Sequence, residues 1–256
     1  MDYSIQLYTL RHAMQEDLPG TIRKVAEIGF TQVEPYNFVA TAKELGAALT
    51  DNGLTAPSGH APLLSQDQDQ IFAAAKELGI STVIDPFIPA DRWQAAEDIQ
   101  ATAVALNAAA KKGAEYGIRV GYHNHQWELE SSIGDRTALE YFTDLLDPEV
   151  VLEVDTYWVA VGGHDPVEIL TRLGERVKLI HIKDGPLNTD TKAQLPAGKG
   201  KVAVLDVIAA ARSLEVGVVE FDDYAGDIFE GIGESLAYLL AAESNTASST
   251  AEGAKA

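Results

Sequence analysis

Six residues with side chains able to hold cations or move protons stand at or just beyond the ends of short apolar runs: His123, His125 and Glu128 in 119–128, Asp155 in 151–155, His181 in 177–184 and Glu220 in 218–223. A neutral imidazole is both a metal ligand and a proton carrier near physiological pH. Carboxylates add hard oxygen donors suited to a divalent cation. The runs follow one another at roughly 25 to 40 residues, the repeat of a barrel in which parallel strands alternate with helices. Such a barrel gathers all its strand C-termini on one face, so residues far apart in sequence meet there.

The rest of the chain carries the elements that this convergence needs. Apolar runs bounded by turn residues occur at 3–8, 32–36, 54–60, 82–87, 118–124, 150–155, 177–183 and 216–221, giving eight expected strands. Between them, apolar residues recur at three- and four-residue spacing, as in 21–28, 42–49, 71–78, 93–116, 138–146, 167–173 and 204–214, the pattern of helices with one buried face. Gly29, Gly79 and Gly117 stand where such helices should stop and feed the next strand. Strand, helix and stop repeated eight times predict an α/β fold, a single (β/α)8 TIM barrel domain over 1–242. From 243 to 256 the composition turns small and polar with no apolar period, which predicts a disordered tail.

Bulk properties narrow the function. A chain of 256 residues, 46% hydrophobic, has room for one barrel and no second sizeable domain. Its 19 basic against 39 acidic residues leave a net charge of −20, which repels phosphate backbones and anionic lipid, so neither nucleic acid nor membrane is an expected partner. Cysteine is absent, which removes thiolate chemistry and disulfides. No basic leader with an apolar run opens the chain and no stretch approaches the roughly 18 apolar residues of a membrane span, so a cytoplasmic location is expected. A homo-oligomer is compatible with all of this.

Taken together, Tyr122-His-Asn-His125 with Glu128, Glu153-Val-Asp-Thr-Tyr-Trp158, His181-Ile-Lys-Asp184, Glu220-Phe-Asp-Asp223 and Ser58-Gly-His-Ala-Pro62 resemble the sugar phosphate isomerase/epimerase group of xylose-isomerase-like TIM barrels, over residue 3 to about 240. That resemblance implies one divalent cation held at the strand ends by Asp155, His181 and Glu220. Relatives place a Glu at the end of strand five, where this chain has His123. The fourth ligand is therefore either His123 or a Glu128 that reaches back from the loop, and the hard-donor argument inclines to Glu128. Such a set fits Mn best, with Mg, Co or Zn as alternatives. The implied activity is metal-dependent isomerisation or epimerisation of a ketose or related polyol through an enediolate, with Glu220 and the His123/Glu128 pair as acid and base. The departure at His123 removes one of two symmetric glutamates and makes dehydration of a keto-sugar or inosose the alternative. An endonuclease IV-like repair enzyme shares the barrel but needs more metal ligands and basic loops. A non-catalytic binding barrel is the other remote alternative.

Further residues are candidates for contact with a carbohydrate. His60, His125, Lys183 and Trp127 are placed to touch sugar oxygens or a ring face, and Glu153, two residues below Asp155 on the same strand face, is placed to orient ligands as well. Glu34 and Gln6 line either the pocket floor or a self-satisfied core. His164 reads as structural. The loop 195–201, with Lys199 and Lys201 alternating with glycine, reads as a turn into a helix rather than a phosphate cradle, so a phosphorylated substrate is not assumed.

Overall fold

The computed structural model describes residues 3–253, with side chains as far as residue 244. Eight parallel strands make one sheet: β1 (Tyr3–Gln6), β2 (Gln32–Glu34), β3 (Ser58–His60), β4 (Thr82–Asp85), β5 (Arg119–His123), β6 (Val151–Asp155), β7 (Val177–Ile182) and β8 (Val216–Val219). Each pairs with its sequence neighbour, β8 pairs with β1, and the bridges Gln32–Thr55 and Tyr36–His60 join β2 to β3. The sheet is thereby a TIM barrel, a single domain with helices between the strands. Helix starts and stops use local chemistry: Asp17, Asp67 and Asp165 cap their helices, and Gly29 and Gly79 end theirs at φ 113° and 74°, where side chains rarely go.

Alternation along the strands, interrupted once on β7, sorts the side chains. Leu152, Val154, Ile180, Ile182, Val219 and Phe221 pack outward into the core shared with the helices. Ile84, Val151, Leu179, Val216 and Val218 form a separate apolar layer inside the barrel. Gly121 lies in that layer, where a Cβ would press on Ile84 and Val151. Two residues further along the same strands, the inward positions turn polar: Glu153 and then Asp155 on β6, His181 after Leu179 on β7, and Glu220 just past β8. The apolar layer is a floor, and the chemistry stands above it.

A bulge sets the meeting of β6 and β7. Leu152 pairs with Val177, yet Glu153 pairs with Leu179, so Lys178 is the extra residue and Asp155 comes to lie opposite His181. Without that step Asp155 would face Ile180, whose side chain points to the helices.

After β5 the chain makes a short helix (Trp127–Glu130), a two-stranded hairpin (Ser132–Ile133 with Arg136–Thr137) and the helix Ala138–Leu145. The last helix, Ile228–Gly253, runs into the segment expected as a tail, of which residues 254–256 lie outside the described residues. Among the described residues no helix is long and apolar enough to cross a membrane.

Candidate metal and acid–base centre

His123, Asp155, His181 and Glu220 each place one nitrogen or oxygen so that all four atoms lie within 4.8 Å of one another. A second group, His60, His123, Glu153 and His181, meets the same limit one layer deeper. The two shared rings turn different nitrogens to the two groups. His123 Nδ1 is 3.2 Å from Glu153 and its Nε2 is 3.8 Å from Asp155. His181 Nε2 is 2.9 Å from Glu34 and 3.1 Å from Glu153, while its Nδ1 is 2.5 Å from Glu220. Glu34 thus bonds the deep nitrogen of His181 and Glu153 faces that of His123, while the other nitrogen of each ring faces the outer group.

The deep layer is a connected network in which Glu153 Oε1 and His123 Nδ1 are left without a hydrogen bond. Glu34 accepts from Gln6 Nε2 at 2.8 Å and from the Ser58 hydroxyl, and His60 Nε2 lies 3.1 Å from Glu34 and 2.5 Å from Glu153. Burial alone would lower the His60 pKa, but the charges of Glu34 and Glu153 outweigh it and push it up to about 10. Burial would raise Glu34, yet the charges and hydrogen bonds of His60 and His181 hold it below the usual carboxylate range. A protonated His60 between two carboxylates is the pairing that buried charges require. His60 and Glu153 are thereby joined directly to each other, and Gln6 and Glu34 take the self-satisfied alternative.

The outer layer is gathered around a lysine. Lys183 Nζ sits 2.8 Å from Asp155 Oδ2, 2.7 Å from Glu220 Oε2 and 2.8 Å from Asp222 Oδ2. Against the burial that would lower it, these three carboxylates hold the Lys183 pKa well above its ordinary value. Asp155 Oδ1 accepts from the Trp158 amide at 3.0 Å, but its buried Oδ2 has no hydrogen-bond partner, the Lys183 approach being outside hydrogen-bond geometry. Burial raises Asp155 to about 6 in spite of the Lys183 and His181 charges. Glu220, raised by burial and lowered more strongly by Lys183 and His181, is held ionised. Burial and the neighbouring His181 charge keep His123 neutral, with a lone pair to offer.

The structure does not bring Glu128 into either group. Its buried carboxylate accepts from the Tyr122 hydroxyl at 2.5 Å and from the His125 amide at 3.0 Å. The reason is directional: Tyr122 points outward, against Trp93 and Phe142, and the short helix Trp127–Glu130 delivers Glu128 to that side. Of the two alternatives for the fourth position, His123 is the one that meets Asp155, His181 and Glu220. The same placement keeps the Glu128 carboxylate out of the cavity lining.

A cavity of about 340 Å³ opens over the cluster, lined by His60, His123, His125, Glu220, Asp222 and the aromatic side chains Tyr8, Tyr36 and Phe87. His125 has no hydrogen bond to its ring among the described residues; it stacks on Trp127 with centroids 4.3 Å apart and planes at 7°. Burial, then the Lys183 charge, lowers its pKa to about 3. Trp127 therefore supports the wall from behind rather than forming it. Lys183 and Glu153 are likewise covered by the groups they hold. His164 bonds the Leu129 carbonyl at 3.1 Å, a structural use.

Two features escaped the sequence. Asp222, two residues beyond Glu220, anchors Lys183 and is itself fixed by Gln194, which donates through Nε2 at 2.7 Å and accepts from the Asp222 amide at 2.8 Å. The same-face spacing 220/222 was its available signal. Asp184 is the other. Its carboxylate takes four backbone amides, from Gly185, Gly198, Gly200 and Val202, at 2.8 to 3.0 Å. The amides of the loop 195–201 that resemble a phosphate cradle are thus already occupied by the protein's own anion, in agreement with the reading as a structural turn.

Residues 22–240 match the family model described as xylose isomerase-like TIM barrel. Among curated proteins, the chain is 24% identical to an inosose dehydratase of Geobacillus kaustophilus over 212 residues, 67% of this chain and 66% of that protein. The match thus spans about two thirds of that relative's length, and matches to inosose dehydratases of Bacillus span 30% of theirs. Among solved structures, a sugar phosphate isomerase/epimerase of Parabacteroides distasonis superposes with a TM-score of 0.81 at 24% identity, covering 93% of both chains. A probable 3-DHS dehydratase of Bacillus anthracis gives 0.73 at 15%, covering 94% of this chain and 99% of that one. A xylose isomerase-like barrel of Mycobacterium smegmatis, solved in complex with magnesium, gives 0.68 at 17%, covering 87% of each.

Proposed function

We infer the function from one premise: the chain belongs to the xylose isomerase-like TIM barrel family. We propose that it is a metal-dependent lyase that removes water from a hydroxylated ring bearing a carbonyl, a keto-sugar or keto-inositol. His123, Asp155, His181 and Glu220 would hold the cation. The fit rests on the donor set itself, two imidazoles and two carboxylates converging within 4.8 Å, and on the ammonium of Lys183, a cation already drawn to the oxygens of Asp155 and Glu220. With one carboxylate fewer than a Glu128 ligand set would have, these donors suit Mn, Co or Zn better than Mg. A divalent cation there supplies Lewis acidity for a carbonyl and an adjacent hydroxyl.

The observation that carries the lyase reading is the asymmetry of the site. Epimerisation asks for two equivalent bases on opposite faces of one carbon, and the carboxylate that would be the second, Glu128, points into the helix layer instead. β-Elimination asks for unlike groups, a base for the C–H beside the carbonyl and an acid for the departing hydroxyl. His125, a neutral imidazole at the cavity wall with no hydrogen bond to its ring among the described residues, takes the proton. Lys183, a buried ammonium covered by Asp155, Glu220 and Asp222, stands behind the wall, and Asp222, which lines the cavity, passes the proton to the departing hydroxyl. Glu220 then acts as a ligand and orienting group rather than as the base. The dehydratase names of the curated relatives support this reading, and the isomerase name of the Parabacteroides structure is the alternative to be separated from it.

The test is incubation of the purified protein, with Mn added, with keto-inositols and keto-sugars in deuterated water. Loss of water with growth of an enone or diketone absorbance is the expected result. Deuterium exchange with interconversion of isomers and no water loss assigns the isomerase reading instead.

A further inference from the structure

Among the described residues, six large hydrophobic side chains are exposed, and the two aromatic ones, Tyr8 at 40% and Phe87 at 52%, both line the cavity. Exposed aromatics gathered at one opening mark a binding surface. Both are held in place. Tyr8 meets Tyr36 edge-on at 5.4 Å and 89°, and the Arg11 guanidinium lies 4.3 Å over its ring. Phe87 stands edge-on to His125 and to Trp127 at 5.7 and 5.6 Å, with its amide bonded to Asp85. They come from the loops after β1 and β4, three strands apart around the barrel, so they face a ligand from separate sides.

The space continues outward. Tyr36 and Asn37 also line a neighbouring groove of about 460 Å³, and Asn37 holds a left-handed φ of 42°, a strained conformation that clusters at ligand sites. Charge restricts what enters from the outside: Glu16, Asp17 and Glu44 line the groove. The amides that would bind phosphate are filled by Asp184, and Lys199 is paired with Glu234 at 2.7 Å.

From this we propose that the site takes an uncharged keto-glycoside. Its reacting ring lies against His123, His125 and Glu220, and its second ring, the aryl or glycosyl group on the anomeric oxygen, packs on Tyr8, Tyr36 and Phe87. The inference rests on the carbohydrate reading of the cavity given above. Cavities of about 300 Å³ and more are those that enclose ligands of several rings.

The test is calorimetric or NMR binding of methyl glucoside, phenyl glucoside and a glucosyl disaccharide, which lack the carbonyl and cannot react, to the wild-type chain and to Phe87→Ala and Tyr8→Ala. Phenyl glucoside or the disaccharide is expected to bind about tenfold more tightly than methyl glucoside, the value of one good ring contact. Whichever of the two does so identifies the second ring as aryl or glycosyl. Each variant is expected to bring the ratio of the two-ring to the methyl glucoside affinity close to one, and since both side chains are exposed their removal spares the fold. Equal affinities for all three ligands, or an advantage that survives both variants, overturns the proposal. If no glycoside binds but a keto-inositol is dehydrated, the extended site falls and the lyase reading stands; if neither occurs, both fall.

Discussion

Two buried aspartates stand at the same end of the barrel, one strand apart, and they are used in opposite ways. Asp184, just past β7, fills both carboxylate oxygens with four amides and ties the loop 195–201 to the strand. Asp155, at the end of β6, spends one oxygen on the Trp158 amide and gives the other no hydrogen bond, only the approach of the Lys183 ammonium at 2.8 Å. Buried polar atoms are nearly always paired, so a complete set of partners marks a structural anchor and an incomplete one marks a place for something else. The same contrast separates Glu128, closed off by Tyr122 and the His125 amide, from His123, which stays neutral with one nitrogen toward the cluster.

The contrast breaks most visibly at Asp184. Asp184→Ala leaves four amides without their acceptor, and at about 1 to 3 kcal/mol for each unsatisfied buried group the loss comes to several kcal/mol even with partial rescue by water. A large drop in denaturation midpoint is expected. Asp155→Asn, which keeps the cap on the following helix, is expected to melt near wild type but to bind Mn far more weakly. Equal melting losses in the two variants would remove the distinction.

The second break exchanges the two strand-five candidates. Glu128→Ala strands the buried Tyr122 hydroxyl and is expected to cost about 1 to 3 kcal/mol of stability with cation affinity kept. His123→Ala is expected to lower cation affinity and, by leaving a cavity lined with polar groups, to cost less stability. Calorimetric titration and urea unfolding of both decide it.

A gentler probe is Asp85, an intermediate case with two amide donors, from Leu64 and Phe87, and a carboxyl that burial raises from 3.8 to about 6. The folded state binds this proton more tightly than the unfolded chain. Its stabilising contribution is therefore complete below about pH 4 and lost as pH rises through about 6. Asp85→Asn is expected to flatten the stability profile between those values, and an unchanged slope in urea denaturation across that window would contradict the burial argument.

Much of this was legible in the residues alone. Alternation along 151–155, 177–183 and 216–221 was enough to send Asp155, His181 and Glu220 to one face, because strand geometry has a fixed period of two. Glu128 was misplaced because it lies beyond the strand, in a loop whose direction depends on Tyr122 and a four-residue helix rather than on any period. The bulge at Lys178 left no local mark, since register is a property of two strands and not of one. Asp184 could be seen as a residue but not as an anchor, because its donors Gly198, Gly200 and Val202 arrive from 14 to 18 positions away.

The most direct test of the site is a calorimetric Mn titration of metal-stripped protein, run on the wild type, on Asp155→Asn and on Glu128→Ala. One equivalent bound by the wild type, nearly abolished in Asp155→Asn and kept in Glu128→Ala, is the expected result. Binding that survives in Asp155→Asn and disappears in Glu128→Ala would contradict a centre built from His123, Asp155, His181 and Glu220.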